Sequence, residues 1–95
     1  MFKINDEIIV INDSCQYTSY INWIKRYAIE YLDKFENNKS IKNGTKGKIV
    51  AINIHLIIGG RILYLIKSKN NVYLFGKDGI KLFKSSPIRI EDMIL

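Results

Sequence analysis

One cysteine, one histidine and nine carboxylates are nearly all this chain offers to catalytic chemistry. Cys15 alone can form neither an intramolecular disulfide nor a cysteine-based zinc site. His55 alone excludes a paired-histidine metal site and any H-E-x-x-H arrangement. A Cys15–His55 nucleophile pair needs an activated thiol, yet Cys15 sits in a polar loop with no neighbour that would activate it. The acids do not converge: Asp6 and Glu7 open an apolar run, and Glu30, Asp33 and Glu36 fall on the polar side of a helical pattern. Gly44-x-x-Gly47 lacks the spacing and the Gly-Lys-Ser/Thr ending of a phosphate loop, and Gly59-Gly60 leads into a hairpin strand. The expectation is a binding protein and not an enzyme, with no catalytic residues, no metal and no cofactor.

What remains is charge. The formal net charge is +6, and residues 39–84 carry ten Lys and Arg against Asp78 alone. Lys46, Lys48, Arg61, Lys67, Lys69, Lys77 and Lys81 fall on or beside strand-like runs, interleaved with Tyr64 and Tyr73. Lysines of this kind hold phosphates, and rings beside them stack bases, so these residues form the candidate nucleic-acid surface. Arginine is scarce, which argues against base-specific readout. The ordinary alternative is that hairpin lysines keep strands soluble and the rings belong to the core. A small anionic ligand is a weaker reading of the same lysines. A second candidate surface is aromatic: Tyr20, Trp23 and Tyr27 on one helical stripe, with Ile29 off it, are side chains able to anchor a protein partner.

The elements that must position these groups are legible from periodicity. Asp6 to Ile11 is a β-branched run ended by Asn12-Asp13-Ser14 and reads as a first strand. Thr18 or Ser19 can cap a helix in which Tyr20, Trp23, Ile24, Tyr27, Ala28, Tyr31 and Phe35 recur at three- and four-residue spacing. Asn37-Asn38 ends that pattern. From Gly47 to Ile54, Arg61 to Lys67, Asn71 to Gly76 and Gly79 to Phe83 the period becomes that of strands. Gly59-Gly60, Lys69-Asn70-Asn71 and Lys77-Asp78-Gly79 supply residues for tight hairpins between them. Residues 85–95 fit either a short helix begun at Ser86-Pro87 or a strand through Ile88 and Ile90.

Short strands at even spacing predict a mainly β (β+α) domain over residues 1–95: a closed or nearly closed barrel of about five strands. The amphipathic helix, at about 18–37, is inserted between the first and second strands. The 95-residue length suits one domain, and 47% apolar with 25% charged residues matches a folded globule. No apolar run reaches the roughly 18 residues of a membrane span, and the N-terminus lacks a secretory layout, so a cytoplasmic protein without membrane contact is expected.

Lys3-Ile4-Asn5-Asp6-Glu7-Ile8-Ile9-Val10, Asn43-Gly44-Thr45-Lys46-Gly47-Lys48-Ile49-Val50 and Val72-Tyr73-Leu74-Phe75-Gly76-Lys77-Asp78-Gly79 together carry a resemblance. The chain resembles small SH3-like (KOW-type) barrel proteins of bacteriophages and mobile elements. Where their opening phrase has Gly-Asp, this chain has Asn5-Asp6. The resemblance implies an SH3-like barrel and a non-enzymatic accessory role through protein–protein interaction, with nucleic-acid binding by the basic region as the alternative.

Overall fold

The computed structural model describes residues 2–36, 39–55 and 60–83. The tail 85–95 and the helix stop at Asn37-Asn38 lie outside them. The described chain is mainly β. Five strands, β1 (Glu7–Val10), β4 (Lys46–His55), β5 (Arg61–Ser68), β6 (Asn71–Phe75) and β7 (Ile80–Leu82), form one antiparallel sheet in the order β6-β5-β4-β1-β7. Two short strands, β2 (Ser14–Cys15) and β3 (Ser40–Ile41), pair with each other and bracket the helix α1 (Ser19–Tyr27).

The sheet has two apolar faces. On the inner one, Ile8, Val10, Ile49, Tyr64, Ile66, Tyr73, Phe75 and Ile80 pack together. Every sheet strand, including both edges β6 and β7, contributes to that cluster. On the outer one, Leu63, Leu65, Val72 and Leu74 pack under Trp23, Ile24 and Ala28 of the inserted segment. This explains why Leu63–Ile66 and Val72–Phe75 are unbroken apolar runs: with both faces covered, side chains pointing either way must be apolar. A β-bulge between Ile49 and Ala51 shifts the phase of β4 by one residue, so that Ile49 and Ile52 both reach the inner cluster.

β4 and β5 approach so closely at Gly47 that an added Cβ would lie 2.5 Å from Ile66 Cγ2 and 2.7 Å from the Lys67 carbonyl oxygen. One contact is with backbone, which cannot swing away. Gly47→Ala is expected to cost about 1–3 kcal/mol, read as a lower urea midpoint at unchanged slope.

Three expectations need correction. First, the helix does not run to Phe35. It ends at Ala28 (φ −155°, ψ 50°) and a 3-10 helix follows over Ile29–Lys34. Tertiary structure decides this: Tyr31 and Leu32 still pack on the outer cluster, while the change of direction brings Phe35 to Val72 as a parallel bridge on the β6 edge. Thr18 takes the N-cap position, but with helical backbone angles and no side-chain capping bond. Second, Lys77-Asp78-Gly79 is a 3-10 turn and not a hairpin, because β7 leaves β6 to pair with β1.

Third, the sheet is not closed; β6 and β7 remain its edges. The outward backbone groups of Leu74, which a closing strand would need, are already taken. The Gln16 side chain accepts from Leu74 N–H at 2.7 Å and donates to Leu74 C=O at 3.1 Å, so a fully buried amide does the work of a strand residue. Asn5 does adopt φ +78°, supplying the left-handed turn for which the resembling phrase uses glycine.

Candidate polyanion-binding face

Cross-strand pairing fixes which lysines share a surface. Directly paired residues project from the same side of a sheet, as do residues two apart on one strand. Glu7 pairs with Lys48, Lys48 with Lys67, and Lys67 with Val72; Ile9 pairs with both Lys46 and Lys81. Lys46, Lys48, Lys67 and Lys81 therefore stand on one face. Val72 in the same row is buried beneath the insertion, so this is the outer face of the sheet, at the part α1 and the 3-10 helix leave uncovered.

The face is electrostatically unbalanced. Lys48 and Lys67 are like charges directly opposite, a pairing that weakens a ladder. Glu7 is the only acid in these rows. The one ion pair among the described residues, Lys39 to Glu36 at 3.1 Å, lies beyond them. There the Glu36 carboxylate, by hydrogen bond and charge, holds the Lys39 ammonium above its ordinary range. Phe83 lies half-buried beside the lysines, with the Lys46 ammonium 4.4 Å from its ring centroid. Lys69, in the turn after β5, joins the rim of the same surface.

The nine residues expected to form this surface thus divide. Lys46, Lys48, Lys67 and Lys81 come together, with Lys69 at their border. Arg61 and Lys77 do not: they line a separate cavity of about 330 Å³ with Tyr64 and Asp78. Arg61 opens β5 and Ser68 ends it, and the rises along this eight-residue strand span roughly 23 Å. Tyr64 and Tyr73 are corrected outright as stacking platforms. Each is 8% exposed, with its ring in the inner cluster. Phe83 is the accessible ring, and its place in sequence between Lys81 and Lys84 was the available signal.

The aromatic stripe fares differently. Trp23 is 3% exposed, donates from Nε1 to the Asn53 carbonyl at 3.3 Å and packs edge-on against Tyr27 at 5.3 Å. It is a core residue, with little of its ring left at the surface. Tyr27 is half-buried, with Arg26 5.7 Å from its ring centroid. Tyr20 is half-buried too, and burial, with Tyr17 beside it, pushes its phenol above the ordinary range while Arg61 opposes the shift. Ile29 is 65% exposed. It opens the 3-10 helix on the side away from the sheet.

Among the described residues, no group of three His, Cys, Asp or Glu converges as metal ligands, and no helix is long and apolar enough to cross a membrane. No family model, curated protein or solved structure matches the chain.

Proposed function

We propose that this protein is a non-enzymatic SH3-like binding domain whose uncovered sheet face holds nucleic acid through its phosphates, without strong sequence preference. The observation that carries the reading is the coplanar set Lys46, Lys48, Lys67 and Lys81, with two of its members directly opposed and Phe83 alongside. Glu7 stands opposite Lys48 on the β1 side, so a ladder that only had to fold would place an acid at Lys67, which faces Lys48 and Val72 and no acid at all. A ladder that must meet a polyanion keeps both cations and accepts the repulsion. The barrel assignment and the kinship with phage and mobile-element proteins are part of the proposal. They are supported by both sheet edges feeding one inner cluster and by Asn5 at φ +78° in the opening phrase.

Lys67→Glu tests it in two directions at once. Opposite Lys48 the new carboxylate forms a favourable pair, so stability is expected to rise by roughly 0.2–1 kcal/mol. Affinity for single-stranded DNA is expected to fall more than tenfold. For the unmodified protein, four phosphate contacts predict a log–log salt slope of about −3. An affinity that ignores salt, or survives Lys67→Glu, would sink the reading.

A protein partner is the second reading, and Ile29 is the observation that favours it. At 65% exposure it is the most exposed large apolar side chain described, and it adjoins half-buried Tyr27 and Tyr31. Its cytoplasmic accessory role would then run through the insertion, and Ile29→Lys should abolish partner binding while leaving the salt-dependent DNA affinity intact.

A further inference from the structure

Beside the basic face lies a second feature that its lysines alone do not explain. An open cleft of about 730 Å³ separates the Gly44-Thr45 turn from the β5–β6 turn, and Lys39, Lys46 and Lys69 line it with Asn70 and Asn71. Among the described residues, the acid bound to its lining side chains is Glu36, whose Oε1 accepts from Lys39 Nζ at 3.1 Å and from Asn71 Nδ2 at 2.9 Å. One carboxylate oxygen thus bridges two lining residues in the manner an external oxyanion would. Lys69 occupies φ +57°, a left-handed position that Gly or Asn would take at lower cost, and its neighbour is Asn70. A lysine is thus kept among the lining residues at the expense of backbone comfort.

We infer that this cleft is a phosphate-monoester subsite and that Glu36 is a built-in competitor at its rim. The charge balance selects the ligand. Three lysines line the cleft, one of them paired with Glu36, and among the described residues Lys46 and Lys69 form no ion pair, which suits a monoester carrying about −1.5 to −2 at neutral pH better than a backbone diester. Asn70 and Asn71 add amide donors, and phosphate oxygens accept from both kinds of group. The subsite shares Lys46 with the face proposed above, but it does not require that face to bind nucleic acid.

The test uses the full chain and inorganic phosphate, titrated above neutral pH at constant ionic strength and followed by backbone-amide NMR. Saturable shifts at Thr45, Lys46 and Lys69–Asn71 are expected. Glu36→Gln, which removes the competing charge, should tighten phosphate severalfold. Lys69→Gly, which keeps the left-handed turn and removes the ammonium, should weaken it severalfold. Absence of saturable shifts at these amides, or unchanged affinity in both variants, overturns the subsite. A parallel comparison of single-stranded oligonucleotides with a 5′-phosphate or a 5′-hydroxyl separates the sources. Preference for the phosphorylated end identifies a chain terminus as the ligand, and equal affinity with phosphate shifts intact identifies a free phosphoester. Phosphate shifts without any oligonucleotide binding would remove the nucleic-acid reading and leave the subsite standing.

Discussion

Trp23→Ala is expected to lower unfolding stability by about 3–5 kcal/mol, the range for deleting a large buried aromatic. The indole fills the outer cluster against Leu63, Leu65 and Leu74, and its N–H is committed to the Asn53 carbonyl. Truncation therefore opens a cavity and removes that hydrogen bond together. Domains of this size are stable by only about 5–15 kcal/mol, so the variant should be partly unfolded at growth temperature. Chemical denaturation followed by far-UV circular dichroism checks this. A loss below about 1 kcal/mol would mean that the insertion is not docked on the sheet as described. The same substitution would otherwise be chosen to disrupt a surface anchor. Lost binding in Trp23→Ala thus reports unfolding first, and Ile29→Lys is the cleaner probe of that surface.

The second large effect is expected at Gln16. Replacement by Leu keeps much of the volume but leaves both Leu74 N–H and Leu74 C=O buried without partners. Each orphaned group costs about 1–3 kcal/mol, so a total of roughly 2–6 kcal/mol is anticipated. Gln16→Glu is the informative companion. Its carboxylate can still accept from the Leu74 N–H but, once ionised, faces the Leu74 carbonyl with no proton to donate. Stability of Gln16→Glu should therefore recover as pH falls and the side chain protonates, because the neutral acid regains a donor. Denaturation midpoints that fall in parallel with those of the unsubstituted protein across that range would remove the bidentate role assigned to Gln16.

The five sheet strands were legible because β-branched runs and turn residues sit where the chain reverses: Gly60 at φ +74° and Lys69 at φ +57° mark the two hairpin turns. The helical stripe was legible as a face, but its break at Ala28 was not. Both an α-helix and a 3-10 continuation keep Tyr31 and Phe35 inward, and only the docking of Phe35 on Val72 separates them. Gln16 was invisible for a simple reason: a glutamine in a polar loop looks solvated until its partner, far along the chain, is known. Tyr64 and Tyr73 were misassigned as platforms because two-sided burial was not anticipated, although the unbroken Ile62–Ile66 run carries that signature. The basic region was legible as a composition, but the sequence could not say which of its lysines share a surface. Which lysines meet depends on register, and register placed Arg61 and Lys77 at the other end of β5.

The bond between Gln16 and Leu74 joins residues 58 positions apart, and β1 finds its two neighbours only in β4 and β7. On the ribosome, the opening strand must therefore wait for nearly the last described one before its ladder is complete. The insertion, emerging early with Trp23 and Ile24 unburied, has no β5–β6 surface to dock on until that hairpin follows. High separation between partners slows folding and prolongs the life of exposed apolar surface. A nascent chain arrested before β6 would present a naked aromatic stripe, and release of the final strands would hide it in a single cooperative step.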